Sequence, residues 1–425
     1  MTDFSKNREL RFLLRERAAM LWIGIGFVLS ATAVILGLLE IGNQRGELAA
    51  MQALDREERA VVLSEQSDWG SAAYYTFHLT ADPPSDFAFA ALGQRDTSPW
   101  KHRVRMLALE GQIYETDAGN PDLALVGRFD FAFVAALLAP LLLILLLFDL
   151  RSSEAASGRL RLIEASASRA KALWRARTAW RTGALTLAVL LPLWVGGAVA
   201  GTSPLVLLGA SVAVALYLAF WAWLSARIAT AERTGSVNLT LLLGVWIGLC
   251  AVLPAALTTT IERLVPLPDT GEIMLTQREA VNDAWDLPKA ATLEPFAGRH
   301  PEWSEVVAPE EGFDWGWYYA FQQVGDQTVE PLSLAYREGR ARRDTTAGRS
   351  SLVSPATALQ RVLERMAQTD ARASLAYEAR VRDFHATLRS WHYPRLFEAR
   401  DFEAGRARAD LPTFPLPALP EEEPT

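Results

Sequence analysis

The chain has 425 residues, of which 50% are hydrophobic and 21% are charged, with a net charge of −7 at neutral pH. The hydrophobic residues are concentrated in runs of about twenty, the length that a bilayer core of roughly 30 Å requires. This distribution excludes a wholly soluble enzyme and an intrinsically disordered chain. The only cysteine, Cys250, lies inside an apolar run, so the polar regions must be held together without an intrachain disulfide.

Five apolar runs predict five transmembrane helices. They cover residues 18–41, 131–150, 184–201, 204–224 and 239–258. The preceding residues 1–17 are interpreted as an amphipathic lead-in on the membrane surface or, alternatively, as an ordinary solvated segment. The first run is too long for the core of a typical signal peptide and lacks a clear cleavage site, so we expect an uncleaved anchor.

The distribution of charge predicts the orientation of these helices. Residues 151–183 carry eight Lys or Arg and two Glu, whereas acidic residues outnumber basic ones in residues 42–130 and in the long C-terminal region. The positive-inside rule therefore places the N-terminus and residues 151–183 in the cytoplasm. With five spans, the sequence predicts cytoplasmic segments at 1–17, 151–183 and 225–238, and outside segments at 42–130, 259–410 and the Pro/Glu-rich tail 411–425.

The predicted fold is thus an all-α membrane protein, a five-span bundle with two mainly helical extracytoplasmic regions. The first span is expected to continue as a rigid helix to Gln66, because the apolar spacing stays helical. In the second region, Ser354-Pro355 predicts a helix start. Two apolar faces then follow, and we expect them to pack as an antiparallel pair: Leu359, Val362, Leu363 and Met366 on one helix, and Tyr377, Val381, Phe384, Leu388 and Trp391 on the next.

An aromatic cluster occupies residues 313–321, with six aromatic side chains in nine positions. Three interpretations stay open: a surface for an apolar ligand, a contact with the bilayer, or a hydrophobic core.

The sequence contains no motif of a catalytic site. There is no GxxxxGK[ST] phosphate loop, no HExxH, no GxSxG and no CxxC. The five histidines lack the spacing of metal ligands, and we interpret them as surface or packing residues: His78, His102, His300, His385 and His392. We expect a non-catalytic chain with no cofactor, no metal site and no nucleic-acid partner.

Small residues and prolines mark positions of helix packing within the spans. Two GxxxG pairs, which allow helix backbones to approach closely, are Gly197 with Gly201 and Gly244 with Gly248. Each proline within a span leaves a carbonyl that a neighbouring group must satisfy, and these are Pro140, Pro192 and Pro254.

Residues 151–183 resemble the segment that follows the second span in permease subunits of ABC-2 type transporters. The resemblance rests on an acidic residue followed by a Gly-x-Leu-Arg-Leu stretch and a Ser-Arg pair: Glu154, Gly158, Leu160, Arg161, Leu162, Ser168 and Arg169. The chain departs from the pattern at Arg159, where a small residue is usual, and lacks the usual proline before Ser168. In that family the segment contacts a separate ATP-binding subunit, and typical members have six spans where this chain shows five.

Further stretches are similar to an uncharacterised bacterial branch of the same family that has large periplasmic regions. They are Pro83-Pro84-Ser85, Gly93–Asp96, Asn120-Pro121, Gly127–Asp130, Ser354-Pro355 and the helix around Trp391. The resemblance implies a permease subunit in a bacterial inner membrane, working as an exporter with a partner ATPase that binds ATP and Mg. It also implies a second permease subunit, either a copy of this chain or a paralogue.

Two other functions remain open from the sequence. One is the transmission of force from an ATPase to a periplasmic partner, and the other is a membrane-anchored binding scaffold without ATP.

Overall fold

The structure, a computed structural model, describes residues 3–96, 98–115, 129–166, 170–305, 311–398 and 400–416. The first half of the chain forms helices α1 (Asp3–Arg15), α2 (Arg17–Glu65), α3 (Trp69–Tyr75), α4 (Leu109–Tyr114), α5 (Phe131–Phe133), α6 (Ala139–Leu147), α7 (Ser152–Ala156), α8 (Arg159–Ser166), α9 (Ala170–Ala200) and α10 (Pro204–Ile228). The second half forms α11 (Gly235–Ile247), α12 (Leu253–Leu264), α13 (Thr270–Asp283), α14 (Lys289–Arg299), α15 (Trp315–Ser350), α16 (Pro355–Ala367), α17 (Ala371–Phe397) and α18 (Ala404–Asp410). Strands β1 (His78–Ala81) and β2 (Lys101–Val104) pair antiparallel, from His78 opposite Val104 to Ala81 opposite Lys101.

Five helices within the described residues are long and apolar enough to cross a membrane, which confirms the five predicted spans. They are Arg17–Glu65, Phe131–Ala156, Ala172–Ala200, Pro204–Ile228 and Gly235–Leu264. The second and the fifth of these each contain a short π-helical segment, at Val134–Leu138 and Gly248–Val252. A proline follows each π-helical segment two residues later, Pro140 and Pro254. The extra residue of a π turn displaces the local hydrogen-bond ladder, and proline cannot donate to that ladder.

Helix α2 connects the bundle with the polar half of the molecule. It has 49 residues, a length of about 73 Å at the usual rise of an α-helix. Its first part packs on α9. Farther along, Leu48 packs against Leu79 and Ala81 of β1, and Leu63 packs against Trp69 of α3. One rigid element therefore belongs to both halves of the protein.

The polar domain, defined here as residues 49–86, 93–115, 265–353 and 368–416, is built around α17. Tyr377, Val381, Phe384 and Leu388 are buried on one face of that helix. They pack against β2, α4 and the segment after α18, through Val104, Leu109, Ile113 and Phe414. The four-three spacing of the apolar residues thus indicates a true packing face.

The prediction that α16 and α17 form an antiparallel pair is wrong. Leu359 and Leu363 of α16 are buried in the core of the membrane-helix bundle, where α16 contacts α10 and both π-helical segments. Val362 is 39% exposed, and Trp391 packs edge-on against Trp69 instead. The chain does turn at Gln368, which has a left-handed backbone, but the turn carries α17 away from α16. An apolar helix face does not specify which apolar surface it will cover.

A second stretch enters the bundle beside α16. Residues 87–92 are buried in the same core, and we refer to them together with α16 as the inserted segments. Gly37 of α2 permits this insertion, because a Cβ atom there would lie 2.0 Å from the carbonyl oxygen of Phe89. The Thr369 hydroxyl donates to the carbonyl of Ala91 over 2.8 Å, which joins residues 87–92 to the turn that follows α16.

Candidate functional site

The segment that carries the family resemblance lies at the end of the bundle opposite the polar domain. Its helices α7 and α8 are separated by Gly158, which adopts a left-handed backbone with φ of +71°. A Cβ at Gly158 would meet no atom within 4 Å among the described residues, so the backbone angle alone explains the glycine. The glycine of the motif therefore sets the angle between two short helices.

Glu154 ties this segment to the membrane helices. Its carboxylate accepts from Arg159 Nε of α8 over 2.8 Å and from Arg177 Nη1 of α9 over 3.3 Å. Arg177 also donates from Nε to the buried carboxylate of Glu9 in α1 over 2.9 Å. Glu154 thus joins α7, α8 and the start of α9, and α1 packs onto the same arginine.

The outward face of α8 combines charge with apolar surface. Arg161 is exposed, Leu162 is 71% exposed, and Leu160 is half-buried. Both side chains are therefore accessible on the outer face of α8. Ser168 and Arg169, the last two predicted coupling residues, lie outside the described residues.

The two predicted glycine pairs differ in their surroundings. A Cβ at Gly197 would lie 2.5 Å from a methyl group of Leu207, so α9 and α10 meet closely there. Gly201 has φ of +76° and forms the turn between those helices. At Gly244 and Gly248 an added Cβ would meet no atom within 4 Å among the described residues. The second pair therefore makes no contact within the described part of the chain.

The membrane helices satisfy the carbonyl that Pro140 leaves free. Tyr217 of α10 donates its hydroxyl to the carbonyl oxygen of Ala136, four residues before Pro140, over 2.5 Å. Trp246 of α11 donates from Nε1 to the next carbonyl, that of Leu137, over 3.1 Å. Aromatic donors from two other membrane helices thus compensate the interrupted ladder, as the sequence requires of a proline inside a span.

A polar cavity of about 480 Å³ opens in the polar domain, between α15 and α17 and beside the start of α4. Its ionisable lining residues are Glu110, Arg299, His300, Glu302, Asp326, Glu330, Arg337, Arg382, His385 and Arg389. None of these residues belongs to a recognised motif, and sequence reasoning missed the cavity. The only available signal was the i, i+7 spacing of Arg382 and Arg389 on α17.

Glu110 and Arg382 form a bidentate ion pair at the wall of this cavity. Arg382 donates from Nε and Nη2 to the two carboxylate oxygens over 2.7 and 2.8 Å. Ser333 donates to the same carboxylate over 2.7 Å. Burial by itself raises the pKa of Glu110, but the hydrogen bonds and charge of Arg382 outweigh it and hold that pKa below its ordinary value. Both side chains are therefore charged at neutral pH.

Asp326 organises the start of α4. It accepts from the backbone N–H groups of Leu109 and Glu110 over 2.7 and 3.1 Å, and from Gln277 over 2.6 Å. Arg389 donates to its second oxygen over 2.5 Å. Burial raises the pKa of Asp326 in spite of Arg389. The paired charges leave a rigid cavity wall with alternating acidic and basic groups.

Three histidines, His78, His385 and His392, are buried in the core between β1 and α17. Burial lowers the pKa of all three, to about 3 for His78, and the charges of Arg59, Arg389 and Arg395 lower them further. A group of three or more side chains able to hold a metal ion does not occur among the described residues.

The aromatic cluster at residues 313–321 is mainly core. Trp317, Tyr319 and Phe321 are at most 5% exposed. Tyr319 donates to the carbonyl of Gly70 over 2.8 Å, and Trp317 donates to Thr292 over 2.7 Å. Phe313 is 53% exposed, so the cluster also contributes to the surface at its start.

Comparisons with known proteins concern the polar domain. Residues 271–415 match a family described as a domain of unknown function, DUF3526. The match begins in α13 and continues beyond α18, which includes α16 and the α15 and α17 walls of the cavity. Searches of curated proteins and of solved structures gave no match.

Proposed function

We propose that this chain is the permease subunit of an ABC-type transporter, an exporter driven by a separate ATP-binding subunit. The observation that carries the proposal is the construction of α7 and α8. Their outer face exposes Arg161 and Leu162, while Glu154 fastens them through Arg177 to the third membrane helix. Movement imposed on α8 by a partner would reach α9 through this ion pair.

The resemblance of residues 151–183 to ABC-2 type permeases supports the same function. ATP and Mg then bind in the partner, and the present chain performs no catalysis. We place the protein in a bacterial inner membrane with α8 in the cytoplasm and the polar domain in the periplasm, because residues 151–183 are strongly basic. The polar domain then contains most of the two predicted extracytoplasmic regions.

A second permease subunit completes the proposed transporter. In the apolar stretch of the fifth membrane helix only 11% of the residues are buried within the described structure, whereas in that of the second membrane helix 67% are buried. Gly244 and Gly248 on that helix make no contact within the described residues. We therefore place the contact with the second subunit, a copy of this chain or a paralogue, along the fifth helix.

Co-purification with a P-loop ATPase tests the proposal. The full chain would be isolated from its own membrane in mild detergent, and ATP hydrolysis of the bound material measured. We expect Arg161→Glu and Leu162→Asp to release the ATPase, whereas the exposed Arg233→Glu in the loop before α11 retains it. If an ATPase stays bound equally to all variants, α8 is not its contact. If no ATPase binds the parent chain, the chain acts as a membrane-anchored binding scaffold without ATP.

Force transmission to a periplasmic partner is a second candidate function, and the continuity of α2 favours it. A helix of 49 residues that packs in both halves would move the polar domain as one body. Two residues inserted after Gly46, where an added Cβ meets no atom among the described residues, would interrupt this connection. Spin labels at the exposed Leu216 of α10 and Leu275 of the polar domain would report ATP-dependent motion of that domain relative to the bundle. Loss of that motion with continued substrate export would favour the conduit, and loss of both would favour force transmission.

A further inference from the structure

A second cavity lies at the end of the bundle that carries α8. It has a volume of about 260 Å³ and is enclosed by the end of α6, the start of α9 and the end of α10. Its floor is formed by the buried Leu147, Trp174, Ala222, Ser225 and Ala229. Its mouth is formed by exposed residues on the outside of the bundle, Arg175, Ala179, Trp223 and Ala226. The cavity therefore opens on the outside of the bundle, at the end that carries α8.

Polar atoms that lack partners lie behind the wall of this cavity. Arg151 Nε, Trp174 Nε1 and Ser225 Oγ are buried, yet none has a hydrogen-bond partner among the described residues. Ser225 is 0% exposed and Trp174 is 9% exposed. A buried donor without an acceptor is unfavourable, and the cost is greater in a membrane-facing site where water is scarce. Because protein atoms cover each of these donors, they lie behind the cavity wall and do not reach its contents.

The charge of the lining has one sign. Arg151 and Arg175 line the cavity, no acidic residue does, and neither arginine forms an ion pair within the described ranges. The guanidinium of Arg151 lies over the ring of Trp174, 5.6 Å from its centre. The guanidinium of Arg177 lies 5.1 Å from the centre of the same ring. Trp174 thus holds Arg151 in place beside the unpartnered groups.

We propose that this cavity binds the phosphate of an anionic phospholipid from the adjoining leaflet. The phosphate oxygens would accept hydrogen bonds from the guanidinium groups of Arg151 and Arg175, whose planar sets of donors match a phosphate. Basic pockets between membrane helices bind lipid headgroups in this way. The acyl chains leave through the mouth along Trp223 and Ala226. This inference depends only on the five membrane helices and not on the proposed transport function.

Lipid retention by the purified full chain tests the site. Native mass spectrometry would count the lipids that remain bound after delipidation and titration with phosphatidylglycerol or phosphatidylcholine. We expect one tightly held phosphatidylglycerol per chain and weaker binding of phosphatidylcholine. The double variant Arg151→Gln/Arg175→Gln should bind phosphatidylglycerol roughly 30-fold more weakly, from the usual contribution of two basic residues. The matched control Arg15→Gln/Arg233→Gln removes two exposed arginines elsewhere and should bind like the parent.

A second variant keeps the test decisive if the double variant does not fold. Ala226→Trp fills the mouth from an exposed position and should also abolish retention. Equal phosphatidylglycerol binding by the parent, the double variant and Ala226→Trp would overturn the proposal. Inorganic phosphate distinguishes a headgroup site from a free phosphate site. If millimolar phosphate alone displaces the lipid, the lipid assignment is wrong, and if it does not, the acyl chains contribute as proposed.

Discussion

The hydroxyl of Tyr217 lies 2.5 Å from the carbonyl oxygen of Ala136, the carbonyl to which Pro140 cannot donate. Helices α10 and α6 are therefore joined at the point where the ladder of the second membrane helix is interrupted. The same hydroxyl lies 3.8 Å from Cys250 Sγ in the π-helical segment of the fifth membrane helix. Tyr217 thus lies between the two π-helical segments of the bundle.

Removing this hydroxyl should loosen the bundle. Tyr217→Phe leaves the Ala136 carbonyl without its donor in an apolar environment, and we expect a loss of about 1–2 kcal/mol of stability. Thermal unfolding in detergent would measure it. Tyr75→Phe, at a tyrosine that is 54% exposed in the polar domain, is the control and should unfold like the parent. Identical unfolding of the two variants would mean that the bond contributes nothing.

Reversing the charge of Glu154 should disconnect α8 from the third membrane helix. In the parent protein Arg159 and Arg177 both donate to the Glu154 carboxylate. Glu154→Arg places a third positive charge beside them. We expect weaker association with an ATPase and unchanged membrane insertion. The matched control is Ser153→Arg, because Ser153 is exposed on the same short helix. ATPase association that is the same for both variants would contradict the role of Glu154.

Truncating the central face of α17 should destabilise the polar domain. Phe384 is 6% exposed and contacts Phe414 edge-on at 5.5 Å. Phe384→Ala should cost about 3–5 kcal/mol, so a protease added to the purified protein would cut the polar domain much sooner. Leu275→Ala, at a residue that is 60% exposed, should remain as resistant as the parent. Unchanged resistance of Phe384→Ala would exclude this residue from the core.

Because α16 packs in the membrane bundle, truncating its apolar face should destabilise the bundle and not the polar domain. Leu363 is 0% exposed within the membrane bundle, so Leu363→Ala should cost about 2–5 kcal/mol. The loss should appear in the thermal unfolding of the bundle in detergent. Val362→Ala, one residue away and 39% exposed, should change unfolding little. If the protease resistance of the polar domain falls while the bundle is unaffected, α16 packs on α17 after all.

Mild acid should weaken the polar domain through its buried histidines. The pKa values of His78, His385 and His392 lie below the ordinary value of 6.5 in the folded state. As the pH falls below about 6.5, the unfolded chain binds protons that the folded chain does not, so stability is lost, by up to about 1.4 kcal/mol per pH unit and histidine. For His78 the loss continues down to about pH 3.

A histidine variant isolates this effect from other titrating groups. Asp55 and Asp326 of the polar domain act in the opposite direction, because burial raises the pKa of each above its ordinary value and folding then favours the protonated form as the pH falls. Protease resistance should be compared at pH 7.5 and 5.5 in the parent and in His392→Phe. We expect a smaller loss at pH 5.5 in the variant, and an equal loss in both would show that His392 takes no part.

Several features of the molecule follow from local sequence. The five apolar runs identify the five membrane helices, because the length of an apolar helix is set by the bilayer and not by its neighbours. The helical spacing after the first run corresponds to the extension of α2 to Glu65. The turn near Gln368 and the four apolar residues of α17 are also local, since capping and periodicity are read along one segment.

The candidate site could be predicted from the sequence only in part. A resemblance to known permeases identifies the segment around Glu154, but not its ion pair with Arg177, which lies 23 residues farther along the chain. The cavity in the polar domain was not predicted at all. Its walls join Glu110 to Arg382 across 272 residues and Asp326 to Leu109 across 217 residues. No local pattern distinguishes these charged residues from others on a solvated surface.

Sequence by itself determined where the chain is apolar, where its helices turn, and which faces of those helices must be buried. Tertiary structure alone decided what covers each face. Leu359 and Leu363 of α16 and Phe384 of α17 have the same periodic signature, yet the first two enter the membrane bundle and the third enters the polar core. The physical reason is that hydrophobic burial is non-directional, so an apolar face specifies that it will be covered, and only the shape and connection of the whole fold select the partner.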